Sequence, residues 1–340
     1  MKLKEALTYE DILLVPQYSD IESRKDIDIG GDLDEKIHLS LPIISAPMDT
    51  VTEASMAVAM HRAGGLGIVH RYNTITGQCK HVHAARQEVE LVGAAVGVTG
   101  DYLERALHLA DSGAKVLCVD VAHGHHKLVE RAIKSIKDAL HGGVHIMAGN
   151  VATPEGYKAL SSWGADSIRC NVGGGSICST RIQTGHGVPG LQTVLDCAKI
   201  KNNKTKIIAD GGIRSSGDIV KAIAAGADFV MLGSMLAGTD VSPGEVLIGV
   251  LNTKRKVYRG MASKEAQFDW RGKSSSNEGI SATIPYKGKI ENILADLDGG
   301  IRSGFSYSGA KNINEFQEKV KFIKQTLAGQ AESGTHILGK

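Results

Sequence analysis

Short, wholly apolar runs recur along the chain and alternate with stretches of helical period. They fall at 42–46, 65–70, 92–98, 144–148 and 206–209, and within SGAKVLCVD (112–120), WGADSIRC (163–170) and AGADFVMLG (225–233). The last three share a unit of Gly-Ala plus a polar residue, then the apolar run. Glycine suits the left-handed cap of a preceding helix, and an unbroken run of β-branched and apolar residues suits a strand buried on both faces. Seven of these eight candidate strands run at once into helix-period sequence, for example 52–64 and 102–113.

Eight strands about 20–40 residues apart, each with a crossover helix, predict an α/β (β/α)8 barrel. A doubly wound sheet would want a GxGxxG turn after its first strand, and none is present. The pattern predicts one catalytic domain over 1–340 with no inserted domain. Two segments break the repeat. About 30 residues centred on GGGSICSTR separate strand six from its helix, and a Lys-, Ser- and Gly-rich excursion at roughly 240–300 follows strand eight. Both leave the C-terminal ends of strands, where barrels build their active sites, so the second reads as a mobile flap, with a disordered insertion as the other reading.

Composition narrows this picture. Aromatics are only 4% of the chain, so its core must be built from Ala, Val, Ile, Leu and Met. A formal net charge of +2 offers no case for binding nucleic acid or a membrane surface, and the basic stretches at 201–206 and 254–256 are short enough to be merely solvated. Five cysteines without a CxxC pair point to a reducing compartment. With no signal-like apolar region and no membrane-length run, a cytoplasmic location is expected.

Candidate chemistry sits where strands would end. In IIADGGIRSSGD (207–218) and VMLGSMLAG (230–238), Gly211, Gly212, Gly233 and Ser234 are placed to offer backbone amides to a phosphate, and Asp210 to accept from a ribose diol. Gly-Gly turns also arise for tight geometry alone. Cys118 and Cys170 lie in strand runs and read as small buried hydrophobes. Cys178 lies instead on a glycine loop between hydroxyls, with Arg181 close behind, a setting that favours thiolate. A nucleophile leads here over a structural thiol. Zinc lacks a second ligand at suitable spacing, His186 is a lone loop histidine, and His123, His125 and His126 read as a surface or cofactor-adjacent patch opening a helix.

LTYEDILLVP, SAPMDTVTE, GGGSICSTR, IADGGIR, MLGSMLAGTD, YRGMAS, EGI…PYKG and GGIRSGFSYSGA together resemble the inosine-monophosphate dehydrogenase and GMP reductase family, in order and over nearly the whole chain. The resemblance implies the barrel, a purine nucleotide substrate, a nicotinamide cofactor and a thioimidate between Cys178 and C2 of the purine. Within the family it points to the reductase branch, which converts GMP to IMP and ammonia with NADPH. His70-Arg71-Tyr72 leads straight into a short helix with no regulatory domains inserted, and the flap carries Trp270-Arg271 but no water-activating Arg-Tyr pair. Thr180 and Glu278 match the pair that handles the departing amine, although both also occur in many dehydrogenases. GSMLAGTD, YRGM and EGI…PYKG are worded more like a dehydrogenase, and Ser275 stands where many reductases carry Arg, so an IMP dehydrogenase without regulatory domains is the alternative.

The same resemblance implies that Ser176, Asp210, Gly211, Gly212, Gly233, Ser234, Gly260, Met261, Ala262 and Gly279 hold the nucleotide. It places the cofactor against Arg71, Asp120, Val121, Ala122 and Met261. Ser23, Arg24, Ser303, Gly304, Phe305 and Ser306 would reach the cofactor of a neighbouring subunit in a homotetramer. It also implies a potassium ion on Gly173, Gly175, Cys178 and Arg181.

Overall fold

The computed structural model describes residues 3–202 and 204–335; Met1, Lys2, Asn203 (inside the basic stretch at 201–206) and 336–340 lie outside the described residues. All eight apolar runs form strands: β1 (Ile43–Ser45), β2 (Leu66–Val69), β3 (Gly93–Val96), β4 (Val116–Asp120), β5 (His145–Val151), β6 (Ser167–Cys170), β7 (Lys206–Asp210) and β8 (Phe229–Leu232). Each pairs in parallel with the next, and β8 pairs with β1, so the sheet closes into a (β/α)8 barrel. Parallel strands are covered by helices outside and by side chains within, which is why they read as continuous apolar runs and not as alternation. Ile44, Leu66, Ile68, Ala95, Val116, Met147, Ile208, Phe229 and Met231 fill the interior. Cys118 and Cys170 are fully buried, as their positions in strand runs foretold.

The helices α1 (Ala54–Arg62), α2 (Ile75–Arg86), α3 (Tyr102–Asp111), α4 (Lys127–Ala139) and α5 (Pro154–Trp163) follow β1 to β5 in turn. The glycine of the Gly-Ala unit acts as expected: Gly164 ends α5 at φ 107°, and Gly113 and Gly226 take φ of 102° and 108° after their helices. A hairpin of Gly31–Asp32 with His38–Leu39 plugs the N-terminal end of the barrel with Leu33 and Leu39. It is latched there by Asp34, which sits 2.7 Å from His145 Nδ1, while His145 Nε2 lies 2.8 Å from Ser167 Oγ. That latch joins the plug to the first residues of β5 and β6.

The two irregular segments are structured. After β6 come a loop, the short α6 (Thr180–Thr184) and then α7 (Gly190–Ala198); after β7 comes α8 (Ser216–Ala224). Strand β8 is not followed at once by a helix, in keeping with the excursion expected after it. Turns lead instead into β9 (Leu247–Ile248), β10 (Lys254–Arg259), α9 (Lys264–Arg271) and β11 (Ser281–Pro285), with the strands in one antiparallel sheet. The closing barrel helix, α10 (Ile290–Ser306), begins inside the range expected for the flap, so the flap ends near 289. Ile290, Leu294, Leu297, Ile301 and Phe305 form the buried stripe of α10. Among the described residues no helix is long and apolar enough to cross a membrane.

Candidate active site

The glycine loop after β6 brings Cys178 against the flap. Cys178 pairs antiparallel with Gly279, the Ser179 amide donates to the Glu278 carbonyl (2.9 Å), and the Ile280 amide donates to the Ile177 carbonyl (3.0 Å). This backbone zip places three side chains in line. The Cys178 thiol donates to Thr180 Oγ1 at 3.2 Å, the Thr180 hydroxyl donates to Glu278 Oε2 at 2.8 Å, and Ser276 donates to Glu278 Oε1 at 2.8 Å. Thr180 is buried while Cys178 and Glu278 are half-buried, so the sulfur stays reachable and the hydroxyl between them is shielded from water. The loop and flap can therefore pass a proton from sulfur to carboxylate through one hydroxyl.

Beside this relay lies a cavity of about 310 Å³ at the C-terminal ends of β6, β7 and β8. Ser176, Asp210, Gly211, Gly212, Gly233 and Ser234 all line it. Gly211 (φ 89°) and Gly212 (φ 79°) make a turn that a side chain would strain, and a Cβ on Gly211 would sit 3.2 Å from the Gly175 amide. Gly260 and Gly279 lie back to back, each blocking any Cβ on the other at 3.3 Å, so they shape the zip beside the cavity. Met261 Sδ accepts the Asp49 amide at 3.3 Å, and Asp49 in turn holds Arg259 of β10 at 2.7 Å, tying the flap to the loop after β1. Ala262, next in the chain, is half-buried there.

Sequence reasoning missed four contributors to this cavity. Tyr258, from β10, places its hydroxyl against Ser176 and Ser234, and burial pushes its phenol up to about 12. A Cβ on Gly233 would meet that hydroxyl at 3.0 Å, which explains the glycine. Tyr9, Asn171 and Arg214 also line the space. Tyr258, Tyr9 and Arg214 each lie in a motif, YRGMAS, LTYEDILLVP and IADGGIR, whereas Asn171 carried no signal.

Around Asp120, Arg169 of β6 is buried between two carboxylates, 2.5 Å from Asp120 Oδ1 and 2.8 Å from Asp210 Oδ2. Asn150 also donates to Asp210 Oδ2 at 2.8 Å, so the hydrogen bonds to this carboxylate converge on one oxygen and leave Oδ1 for a ligand hydroxyl. Asp120 is held below the usual carboxylate range: burial raises it, but Arg169 and Arg71 outweigh that. Arg71 lies 3.5 Å from Asp120, Val121 is half-buried, and Ala122 is exposed beside them. His126 caps α4 by accepting the Leu128 amide, so the histidine patch does open a helix.

Several expectations need correction. The Arg181 guanidinium donates to the carbonyls of Val172 and Val188 and reaches the Asn171 side chain, so it fastens the loop to itself and does not attend the thiol. Its carbonyl accepts the Gly185 amide, as the Gly175 carbonyl accepts the Cys178 amide, and each keeps a second lone pair. Phe305 is fully buried and stacked on Phe316 at 4.0 Å, because helical period turns it inward with the core stripe of α10; it touches no ligand. A Cβ on Gly304 would lie 2.6 Å from Val220, so this glycine serves helix packing. Ser303 and Ser306 remain half-exposed, and Arg302 donates to the Ile27 carbonyl, which brings that end of α10 beside Ser23 and Arg24.

The chain matches the family described as IMP dehydrogenase / GMP reductase domain over residues 6–336. It is 37% identical to the inosine-5′-monophosphate dehydrogenase of Nitrosopumilus maritimus (strain SCM1), with 99% of both chains covered. It is 33% identical to the GMP reductase of Leishmania major, covering 99% of this chain and 98% of that one. The crystal structure of a GMP reductase variant from Trypanosoma brucei in complex with guanosine 5′-monophosphate matches with a TM-score of 0.93 at 33% identity, covering 98% of each chain. The two alignments to relatives run over 474 and 483 positions, so proteins of both names carry segments that these 340 residues lack. The missing insert therefore does not separate the branches, contrary to the expectation from sequence. With its barrel, its nucleotide-sized cavity and its thiol relay, the chain belongs to the IMP dehydrogenase / GMP reductase family, oxidoreductases that act on purine nucleotides with a nicotinamide cofactor.

Proposed function

We propose that this protein is a GMP reductase, converting GMP, NADPH and a proton to IMP, ammonia and NADP⁺. The observation that carries the reading is the Cys178–Thr180–Glu278 relay in a flap that has Trp270-Arg271 and no Arg-Tyr pair. The thiol proton passes to Thr180 as the Thr180 proton passes to Glu278, and the thiolate adds to C2 of the purine. The electron pair displaced onto the ring returns to expel the amine, which takes its proton back from Glu278 through Thr180 and leaves as ammonia. A nicotinamide cofactor held against Asp120 would supply a hydride to C2. Cys178 then leaves as thiolate, takes up one proton from solvent to restore the thiol, and frees IMP.

In this reading Ser176, Gly211, Gly212, Gly233, Ser234 and Tyr258 hold the phosphate, Asp210 the ribose, and the backbone around Gly260, Met261, Ala262 and Gly279 the base. Asp120, Val121, Ala122 and Met261 face the nicotinamide end of the cofactor. Carbonyls of Gly173, Gly175, Cys178 and Arg181 would form an all-oxygen donor set suited to potassium. Among the described residues no cluster of three or more His, Cys, Asp and Glu could hold a metal. Ser23, Arg24, Ser303 and Ser306 form the face toward a second copy in a tetramer.

IMP dehydrogenation is the second reading, favoured by the 37% identity to a dehydrogenase. It requires an activated water to cleave the thioimidate. Following nicotinamide absorbance with GMP and NADPH, then with IMP and NAD⁺, separates the two. Oxidation in the first mixture alone supports the reductase, and sustained reduction in the second overturns it.

A further inference from the structure

Flap helix α9 carries a buried polar side chain that takes no part in the relay itself. Ala266 and Gln267 are the buried residues of α9, and Gln267 is only 4% exposed. A buried amide needs partners for its polar atoms, and this one is engaged at both ends. Its Nε2 donates to the Ala262 carbonyl at 3.0 Å, and its Oε1 accepts the Ser275 amide at 3.0 Å. Gln267 therefore spans the flap turn, from the backbone beside the nucleotide cavity to the segment that leads into Glu278. That segment has little else to hold it. Residues 275–277 are exposed, and among the described residues Gln267 is the only hydrogen-bond partner of 273–275. From there the path to the carboxylate is short. Ser276 takes φ 29°, its carbonyl accepts the Glu278 amide at 3.0 Å, and its hydroxyl holds Glu278 Oε1 at 2.8 Å. A residue other than glycine is strained in that region, so the turn keeps its shape only while its surroundings fix it.

We infer that Gln267 is a positioning residue for Glu278, holding the carboxylate on the Thr180 hydroxyl through Ser275 and Ser276. The inference rests on the reading that Cys178, Thr180 and Glu278 pass a proton. The backbone zip fixes the chain from Asn277 onward, where Ser179 Oγ donates to the Asn277 carbonyl at 3.3 Å. Ser276, which steers the carboxylate by its other oxygen, lies before that point and depends on Gln267. A methionine would fill the same space with neither hydrogen bond, so packing alone gives no reason to bury an amide here. Because Gln267 also holds Ala262, the backbone assigned to the base and the carboxylate of the relay are braced by one side chain.

The test is a double-mutant cycle on kcat for GMP reduction, with Gln267→Met, Glu278→Gln and the two combined, and with Gln267→Glu beside them. Gln267→Met keeps the volume and removes both hydrogen bonds. A misplaced catalytic group costs up to about 10²-fold, so kcat should fall by about 10- to 100-fold while KM for GMP stays within about threefold. Gln267→Glu keeps an acceptor for the Ser275 amide and should recover part of the loss. In the Glu278→Gln background, Gln267→Met should cost less than about twofold more, because nothing is left to position. Losses that multiply in the pair, a rise in KM as large as the fall in kcat, or a Gln267→Met enzyme keeping more than about half of wild-type kcat each overturn the inference. The same cycle read in alkylation of Cys178 by iodoacetamide needs no turnover, with Cys178→Ala giving the background from half-buried Cys79. Alkylation slowed by Glu278→Gln but not by Gln267→Met overturns the positioning role alone. Alkylation unchanged in Glu278→Gln overturns the relay and this inference with it. A cycle intact in alkylation, without reduction of GMP, overturns the proposed reaction and leaves the positioning role standing.

Discussion

Replacing Thr180 by Val tests the relay with little disturbance of shape, because the two side chains are nearly isosteric. The change removes the 2.8 Å bond to Glu278 and the acceptor 3.2 Å from the Cys178 thiol, while Ser276 still satisfies the other oxygen of Glu278. If every proton between sulfur, carboxylate and amine crosses this hydroxyl, kcat for GMP reduction should fall by about 10²- to 10⁴-fold, the usual worth of positioned acid–base catalysis. That corresponds to roughly 3–5 kcal/mol of transition-state stabilisation. The stability cost should be smaller, about 1–3 kcal/mol for burying an acceptor with one donor fewer. Affinity for GMP should stay within about threefold, since Thr180 does not line the nucleotide cavity. Stopped-flow absorbance gives the rate, calorimetry the affinity and urea denaturation the stability. Alkylation of Cys178 by iodoacetamide should slow in parallel, because the thiol loses its proton acceptor. A variant keeping more than about a tenth of wild-type kcat would refute the relay. A rate loss matched by an equal loss of GMP affinity would show that Thr180 binds substrate and moves no proton.

Other expectations follow from the same geometry. Cys178→Ala should abolish turnover while leaving GMP affinity within about tenfold, and a calorimetric titration showing lost binding would make the loop purely structural. Phe305→Ala should lower unfolding free energy by about 3–5 kcal/mol without changing KM for NADPH, because its ring fills a space against Phe316. A selective rise in that KM would restore it to the cofactor site. Asp34 is held below the usual carboxylate range: burial opposes ionisation, but the hydrogen bond from His145 and the amides of Lys36 and Ile37 outweigh it. The stability this provides is fully present above about pH 4 and fades as pH falls through the lowered folded value. Urea midpoints of the wild type and Asp34→Asn should therefore converge in acid, and a constant gap down to pH 2 would contradict the latch.

The barrel was legible because each strand is covered on both faces, so eight unbroken apolar runs stood out, and Gly164 or Gly226 marked the turn before them. The loop that carries Cys178 was legible for the opposite reason: its glycines and polar residues fit neither a strand nor a helix. What escaped were long-range meetings of side chains with ordinary local sequence. Nothing around Tyr258 shows that its hydroxyl will reach Ser176, and Arg169 gives no local hint that it will bridge Asp120 and Asp210. Arg181 was misjudged because proximity in sequence to Cys178 says nothing of direction, and its carbonyl partners Val172 and Val188 lie nine and seven residues away. Phe305 failed because a family motif was read linearly, whereas helical period turns every fourth residue of α10 inward.

One wall of the nucleotide cavity comes from residues 8–10, and that segment is held from the far end of the chain. Ile12–Leu14 pairs with Phe322–Lys324, the Gln325 amide donates to the Asp11 carbonyl at 2.9 Å, and Gln325 Nε2 donates to the Glu10 carbonyl at 2.5 Å. The barrel holds the same segment from its other side: Lys221 Nζ donates to the Tyr9 carbonyl at 2.8 Å, Arg214 pairs with Glu10, and the Gln192 amide donates to the Leu7 carbonyl at 3.1 Å. The cavity wall is thus a strap drawn between two anchors remote from each other in sequence, so loosening either one should slacken the pocket while the core stays intact.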